Sequence, residues 1–73
     1  MRVEYDEEVD AAYIALRSPT GNSEVARTVP VDPSEIDGEI SLDFDRDGCL
    51  VGIEIQQASR YLDHSLLARS CSP

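Results

Sequence analysis

EISLDFDRDGCLVGIEI, the run from Glu39 to Ile55, decides the fold. Apolar residues alternate on either side of a polar centre, with Ile40, Leu42 and Phe44 before it and Val51, Ile53 and Ile55 after it. A two-residue period is that of strands with one buried face. Between them, Asp45, Arg46, Asp47 and Gly48 have turn chemistry: aspartates bond nearby backbone N–H groups, and glycine enters the left-handed region at little cost. The stretch predicts a β-hairpin.

The same letters, Asp43 to Glu54, also fit D-x-[DN]-x-[DN]-G-x5-E, the pattern of a calcium loop between two helices. Three observations exclude that reading. The residues before Asp43 include Pro33 and Gly38 and alternate like a strand. Val51 and Gly52 occupy loop positions nine and ten, where an oxygen ligand or its water bridge belongs. No second copy of the loop exists to pair with it. The aspartates are therefore expected to face water, and no metal ligand or cofactor-binding residue is assigned.

Upstream, RVEY sets Val3 and Tyr5 on one face against Arg2 and Glu4, and AAYIAL supplies a second short strand between the acidic turn DEEVD and the breaker SPTGN. EVARTVPV predicts a third strand that lies at an edge or stops at Pro30, which has no N–H for a ladder. Asp32, Pro33 and Glu35 have the order of a helix start, but Gly38 limits it to one turn or a loop. In QQASRYLDHSLLA, Ala58, Leu62 and Leu66 recur every four residues, which predicts a helix on the sheet. The expected fold class is α+β: one small domain, a curved antiparallel meander of four to five strands with a short C-terminal helix on one face. The domain is drawn over 1–62, with 63–73 as a tail.

Seventy-three residues with 15 acidic and 6 basic side chains carry a formal charge of −9. Such a chain repels phosphate backbones and anionic membranes, so no nucleic acid and no membrane is expected as a partner, whereas a basic protein is attracted. A chain of this length buries only about 60% of its unfolded surface, which favours a partner that buries more. Two cysteines, Cys49 and Cys71, make no disulfide framework. With no leader pattern and no long apolar run, the expectation is a cytoplasmic protein with free thiols.

YDEEVDAAYIAL at Tyr5 to Leu16 and DFDRDGCLVGIEIQQAS at Asp43 to Ser59 resemble the YuzE-like family of small prokaryotic proteins, a domain of unknown function. Tyr5, Asp6, Asp10, Ala11, Tyr13 and Ile14 fill its first block. Asp45, Asp47, Gly48, Gly52, Ile53, Glu54, Ile55, Ala58 and Ser59 fill its second. The resemblance covers Arg2 to Leu62 and implies a compact antiparallel sheet with a short C-terminal helix and no established activity. For some members it implies an antitoxin-like role, because their genes lie beside genes resembling toxins.

The catalytic candidates are few. Asp63, His64 and Ser65 are consecutive, and neighbours on a helix point about 100 degrees apart, so they form no triad. Asp6, Asp10 and Glu54 have the chemistry of acid–base carboxylates, but Asp6 and Asp10 also suit turn capping. Tyr5 and Tyr13 suit the edge of a core or a recognition surface, and Gly52 within a strand marks a bulge or a close backbone approach. The leading expectation is a non-enzymatic protein–protein interaction module, an antitoxin-like partner of a basic, toxin-like protein. Its interaction surface is drawn from Tyr5, Asp6, Asp10, Tyr13 and Glu54. The alternative is a structural homodimer whose strand edges pair, and the third reading is a small enzyme using Asp6, Asp10 or Glu54.

Overall fold

A computed structural model describes residues 2–16 and 24–68. Five strands, β1 (Arg2–Asp6), β2 (Ala11–Ala15), β3 (Arg27–Pro30), β4 (Ile40–Phe44) and β5 (Leu50–Gln56), precede two short helices, α1 (Ala58–Tyr61) and α2 (His64–Ala68). All neighbouring strands are antiparallel, in the order β1-β2-β5-β4-β3. This is the expected α+β class.

The strand order departs from a plain meander at one point, because β5 inserts between β2 and β4. The physical reason lies in composition. β5 is the longest strand, at 7 residues, and carries Val51, Ile53 and Ile55, so a central place with neighbours on both sides buries the most apolar surface. β3 takes an outer edge, where Pro30 can lack an N–H without loss to the ladder, and Val31 beyond it still donates its N–H to the Ile40 carbonyl at 2.8 Å.

The turn between β4 and β5 is the predicted one. Gly48 has φ 83, and its N–H donates to the Asp45 carbonyl at 3.1 Å. The Asp45 carboxylate accepts the N–H groups of Asp47 and Cys49, each at 2.9 Å. One expectation is corrected here: Asp43 and Asp45 do not face water but are each only 8% exposed. Asp45 turns inward because its oxygen replaces backbone partners that the reversing chain has lost. Asp43 turns inward because two hydroxyl groups meet it.

Register places Val3, Tyr5, Ala12, Ile14, Ile53, Ile55, Ile40, Leu42 and Val29 on one face of the sheet. Ala12, Ile55 and Ala58 form the buried cluster there, with Tyr61, Leu62 and Leu67 packed against it. The helices therefore cover this face. The expected single helix is two: Leu62 is extended, with φ −103 and ψ 141, and Asp63 starts the chain again by accepting the N–H of Ser65 at 2.9 Å. An aspartate that satisfies a free N–H in this way competes with helix continuation. The segment from Asp32 makes one turn, its carboxylate accepting the Ser34 N–H at 2.9 Å. That segment is tied to α1, where Arg60 donates to the Asp37 carbonyl at 3.0 Å and carboxylate at 3.2 Å.

Candidate functional site

The opposite face of the sheet carries Arg2, Glu4, Asp6, Ala11, Tyr13, Ala15, Gly52, Glu54, Ser41, Asp43 and Thr28. Tyr13 sits on β2 directly between Glu4 on β1 and Glu54 on β5. Its ring leans along the sheet over Gly52, and its hydroxyl donates to the Asp43 carboxylate at 2.9 Å. Thr28, opposite Asp43 on β3, donates to the other carboxylate oxygen at 2.8 Å. One polar tie thus runs from β2 across β5 to β4 and β3. Only glycine leaves room for it, since a Cβ at position 52 would fall inside the Tyr13 phenol. β5 also bulges beside this point: Asp43 faces Gly52 while Phe44 faces Leu50, so Val51 is the extra residue.

Burial, then the bond to Asp43 and the charges of Asp43, Glu54 and Glu4, push the Tyr13 hydroxyl up to about 12. The phenol is therefore a neutral donor throughout the physiological range. Glu4, Asp6, Ala11, Ala12, Tyr13 and Glu54 line a shallow depression on this face. Glu54 is exposed and accepts from the Gln56 side-chain amide at 3.0 Å, while Asp6 accepts the Glu8 N–H at 3.0 Å. Among the described residues, Arg2 is the single basic side chain that the register places here, 3.5 Å from Glu4.

Asp10 lies elsewhere. It adopts φ 53 at the end of the β1–β2 turn, a left-handed conformation that aspartate tolerates. Its carboxylate accepts the Tyr5 hydroxyl at 2.7 Å, the Ser59 N–H at 3.0 Å and the Ser59 hydroxyl at 2.7 Å. Its carbonyl accepts the Ala58 N–H at 2.9 Å. Asp10 thus supplies the N-terminal cap of α1 from a distant part of the chain, since Gln57, in the capping position, makes no side-chain capping bond and its amide oxygen accepts from Arg60 at 3.0 Å instead. The bonds from Ser59, then from Tyr5, hold its carboxyl below the usual carboxylate range. Tyr5 is pushed up, first by its bond to Asp10.

Of the five residues expected to form one surface, the structure brings together Asp6, Tyr13 and Glu54 and separates Tyr5 and Asp10, which act as a clasp between the first turn and α1. Sequence reasoning missed Glu4 as a member of the acidic face, and missed Asp43 and Thr28 as partners of Tyr13. A signal for Glu4 was present, because the period of RVEY places it with Arg2 and opposite Val3. Thr28 had no signal, since pairing of β3 with β4 was not readable. His64 is exposed, Cys49 is an exposed free thiol, and Cys71 lies outside the described residues. Among the described residues, no group of three or more His, Cys, Asp or Glu side chains could hold a metal ion. Of these residues too, no helix is long and apolar enough to cross a membrane.

Comparison with known families places residues 2–59 in a match to the family described as protein of unknown function DUF2283. The chain belongs to this family. No curated protein and no solved structure matches it. The matched range ends at Ser59, so it includes every residue of the clasp and of the Tyr13 tie.

Proposed function

We propose that this DUF2283 chain is a non-enzymatic docking module for a basic protein partner, antitoxin-like in the sense that the YuzE-like resemblance implies, and that it acts from the cytoplasm. The observation that carries this reading is the acidic face of the sheet. Glu4, Asp6 and Glu54 surround the shallow depression at Tyr13, and both described helices pack on the other side. The partner's chemistry follows from charge complementarity. Arginine or lysine side chains meet three carboxylates and an amphipathic ring, while a phosphate or a second acidic face is repelled.

The same geometry supports a role without catalysis. Asp10 is held ionised by structural donors, and it stands apart from the depression that Asp6 and Glu54 share. General acid–base work needs groups whose environments drive their proton affinities apart around a reacting atom. The Tyr13 phenol is engaged by Asp43 and contributes shape and a donor, not a base.

The test is titration with a short arginine-rich peptide at low salt, followed by amide chemical shifts. The expected shifts centre on Glu4, Asp6, Tyr13 and Glu54, weaken with added salt, and shrink in the Asp6→Lys/Glu54→Lys variant. Shifts confined to the acidic loop from Asp32 to Asp37, or none at all at low salt, would refute the assignment of this face.

A further inference from the structure

The two outer edges of the sheet are not alike. β3 is short and closed by Pro30, a residue that blocks further pairing. β1 has five residues with no proline, glycine or bulge, and among the described residues no strand pairs with its outer side. An open edge of this kind is a template for another strand.

The residues of β1 specify which strand. Arg2, Glu4 and Asp6 alternate on the acidic face, and Val3 and Tyr5 alternate on the apolar one. We infer that β1 pairs antiparallel with β1 of a second copy about a two-fold axis at Glu4, joining the two sheets into one of ten strands. In that register Arg2 lies opposite the partner's Asp6 and Asp6 opposite the partner's Arg2, while Val3 and Tyr5 face Tyr5 and Val3. A two-fold interface requires a self-complementary patch, and the order Arg-x-Glu-x-Asp read against its own reverse supplies one. The like pair is Glu4 against Glu4, and each of these carboxylates already has Arg2 of its own chain at 3.5 Å. Centring the axis on Tyr5 would oppose Glu4 to Asp6 twice, so the charges select against it.

This inference goes beyond the docking proposal and does not need it, because the pairing uses the edge of the sheet and not its face. Its consequence for docking is geometric. The two acidic faces lie on the same side of one continuous sheet, adjacent across the axis, so a basic partner meets a doubled surface.

The test is sedimentation equilibrium of the chain without any peptide, over about 10 µM to 1 mM, a range that brackets a weak dimer. Wild type is expected to dimerise, and Arg2→Asp and Asp6→Arg are each expected to weaken the dimer by about tenfold, since each replaces two attractive cross-strand pairs with repulsive ones. An equimolar mixture of the two variants restores association, because each hetero pair then sets Asp against Arg at both ends. Circular dichroism establishes that both variants fold. Amide exchange provides an independent measurement: exchange in β1 slows as wild-type concentration rises, and exchange in β3 does not. A monomer over the whole range, a dimer indifferent to both substitutions, a mixture that stays dissociated, or β1 exchange independent of concentration would each overturn the inference.

Discussion

Gly52→Ala tests the tie across the sheet at its narrowest point. The added methyl group would occupy the space of the Tyr13 phenol, and the Tyr13 hydroxyl also rests on Asp43 at 2.9 Å. The ring must swing away, which breaks that bond and leaves Asp43 with Thr28 as its remaining hydroxyl donor. Loss of a hydrogen bond to a charged group costs about 1.5–3 kcal/mol, and residual overpacking adds about 1–3 kcal/mol. The better strand behaviour of alanine returns about 0.5–1 kcal/mol. The net loss is about 1.5–5.5 kcal/mol, against a total stability of about 4–11 kcal/mol expected for a chain of this length. In urea, at an m-value of about 1 kcal/mol/M, the unfolding midpoint should fall by about 1.5–5.5 M with m unchanged. The control is the same substitution in a Tyr13→Ala background, where the space is already vacant and Gly52→Ala should be nearly neutral. A neutral or stabilising Gly52→Ala in the wild type, or an equal loss in both backgrounds, would refute the claim that the glycine exists to admit the ring.

Two predictions concern pH. Tyr13 in the fold is raised to about 12 from an ordinary value of 10.0, so the unfolded chain loses this proton first as pH rises. The associated stability is full below pH 10 and declines between about pH 10 and 12. An ultraviolet titration should show a late-ionising tyrosine that Tyr13→Phe removes, and an unchanged late phase in that variant would contradict the assignment. Asp10 runs the other way: its folded value lies below the ordinary 3.8, so its contribution is present above that value and is lost as pH falls past it. Acid unfolding of Asp10→Asn should therefore be shallower than that of wild type, with the α1 amides, Ser59 first, losing protection from exchange. Equal acid sensitivity in the two proteins would remove Asp10 from the role of cap.

How far the sequence carried depended on the range of the interaction. The β4–β5 hairpin was legible because its information is local: alternation on both sides of Asp45 to Gly48 fixes the faces and the turn together. The closure of β3 at Pro30 was legible for the same reason. The break between α1 and α2 was not, because the spacing of Ala58, Leu62 and Leu66 satisfies a continuous helix and only the competition from Asp63 ends it. Strand order was not legible either, since β2 and β5 are separated by two strands and nearly half of the chain, and their pairing is decided by burial of the whole sheet. The site divides in the same way. Tyr13 and Glu54 could be singled out, but their sharing a face with Glu4 follows from a long-range register that alternation alone leaves open.

The aspartates show why a motif of oxygen ligands arises in a chain that has another use for them. A calcium loop and a tight hairpin present the same problem, a reversing backbone whose N–H groups have lost their partners, and aspartate with glycine solves it in both cases. Here the oxygens are already engaged: Asp45 serves the N–H groups of Asp47 and Cys49, and Asp43 serves Tyr13 and Thr28. Asp10 meets the same need for α1 from 49 residues away in sequence. Three of the acidic residues that attract attention in the sequence are thus accounted for by donors the fold must satisfy. Among the described residues, Glu4, Asp6 and Glu54 bond to local neighbours, Arg2, Glu8 and Gln56, in the hydrogen bonds and ion pair described above. They belong to two strands far apart in the chain, β1 and β5, yet converge around Tyr13 on β2, and that convergence, not the total charge, is what gives the acidic face the shape on which the proposed docking rests.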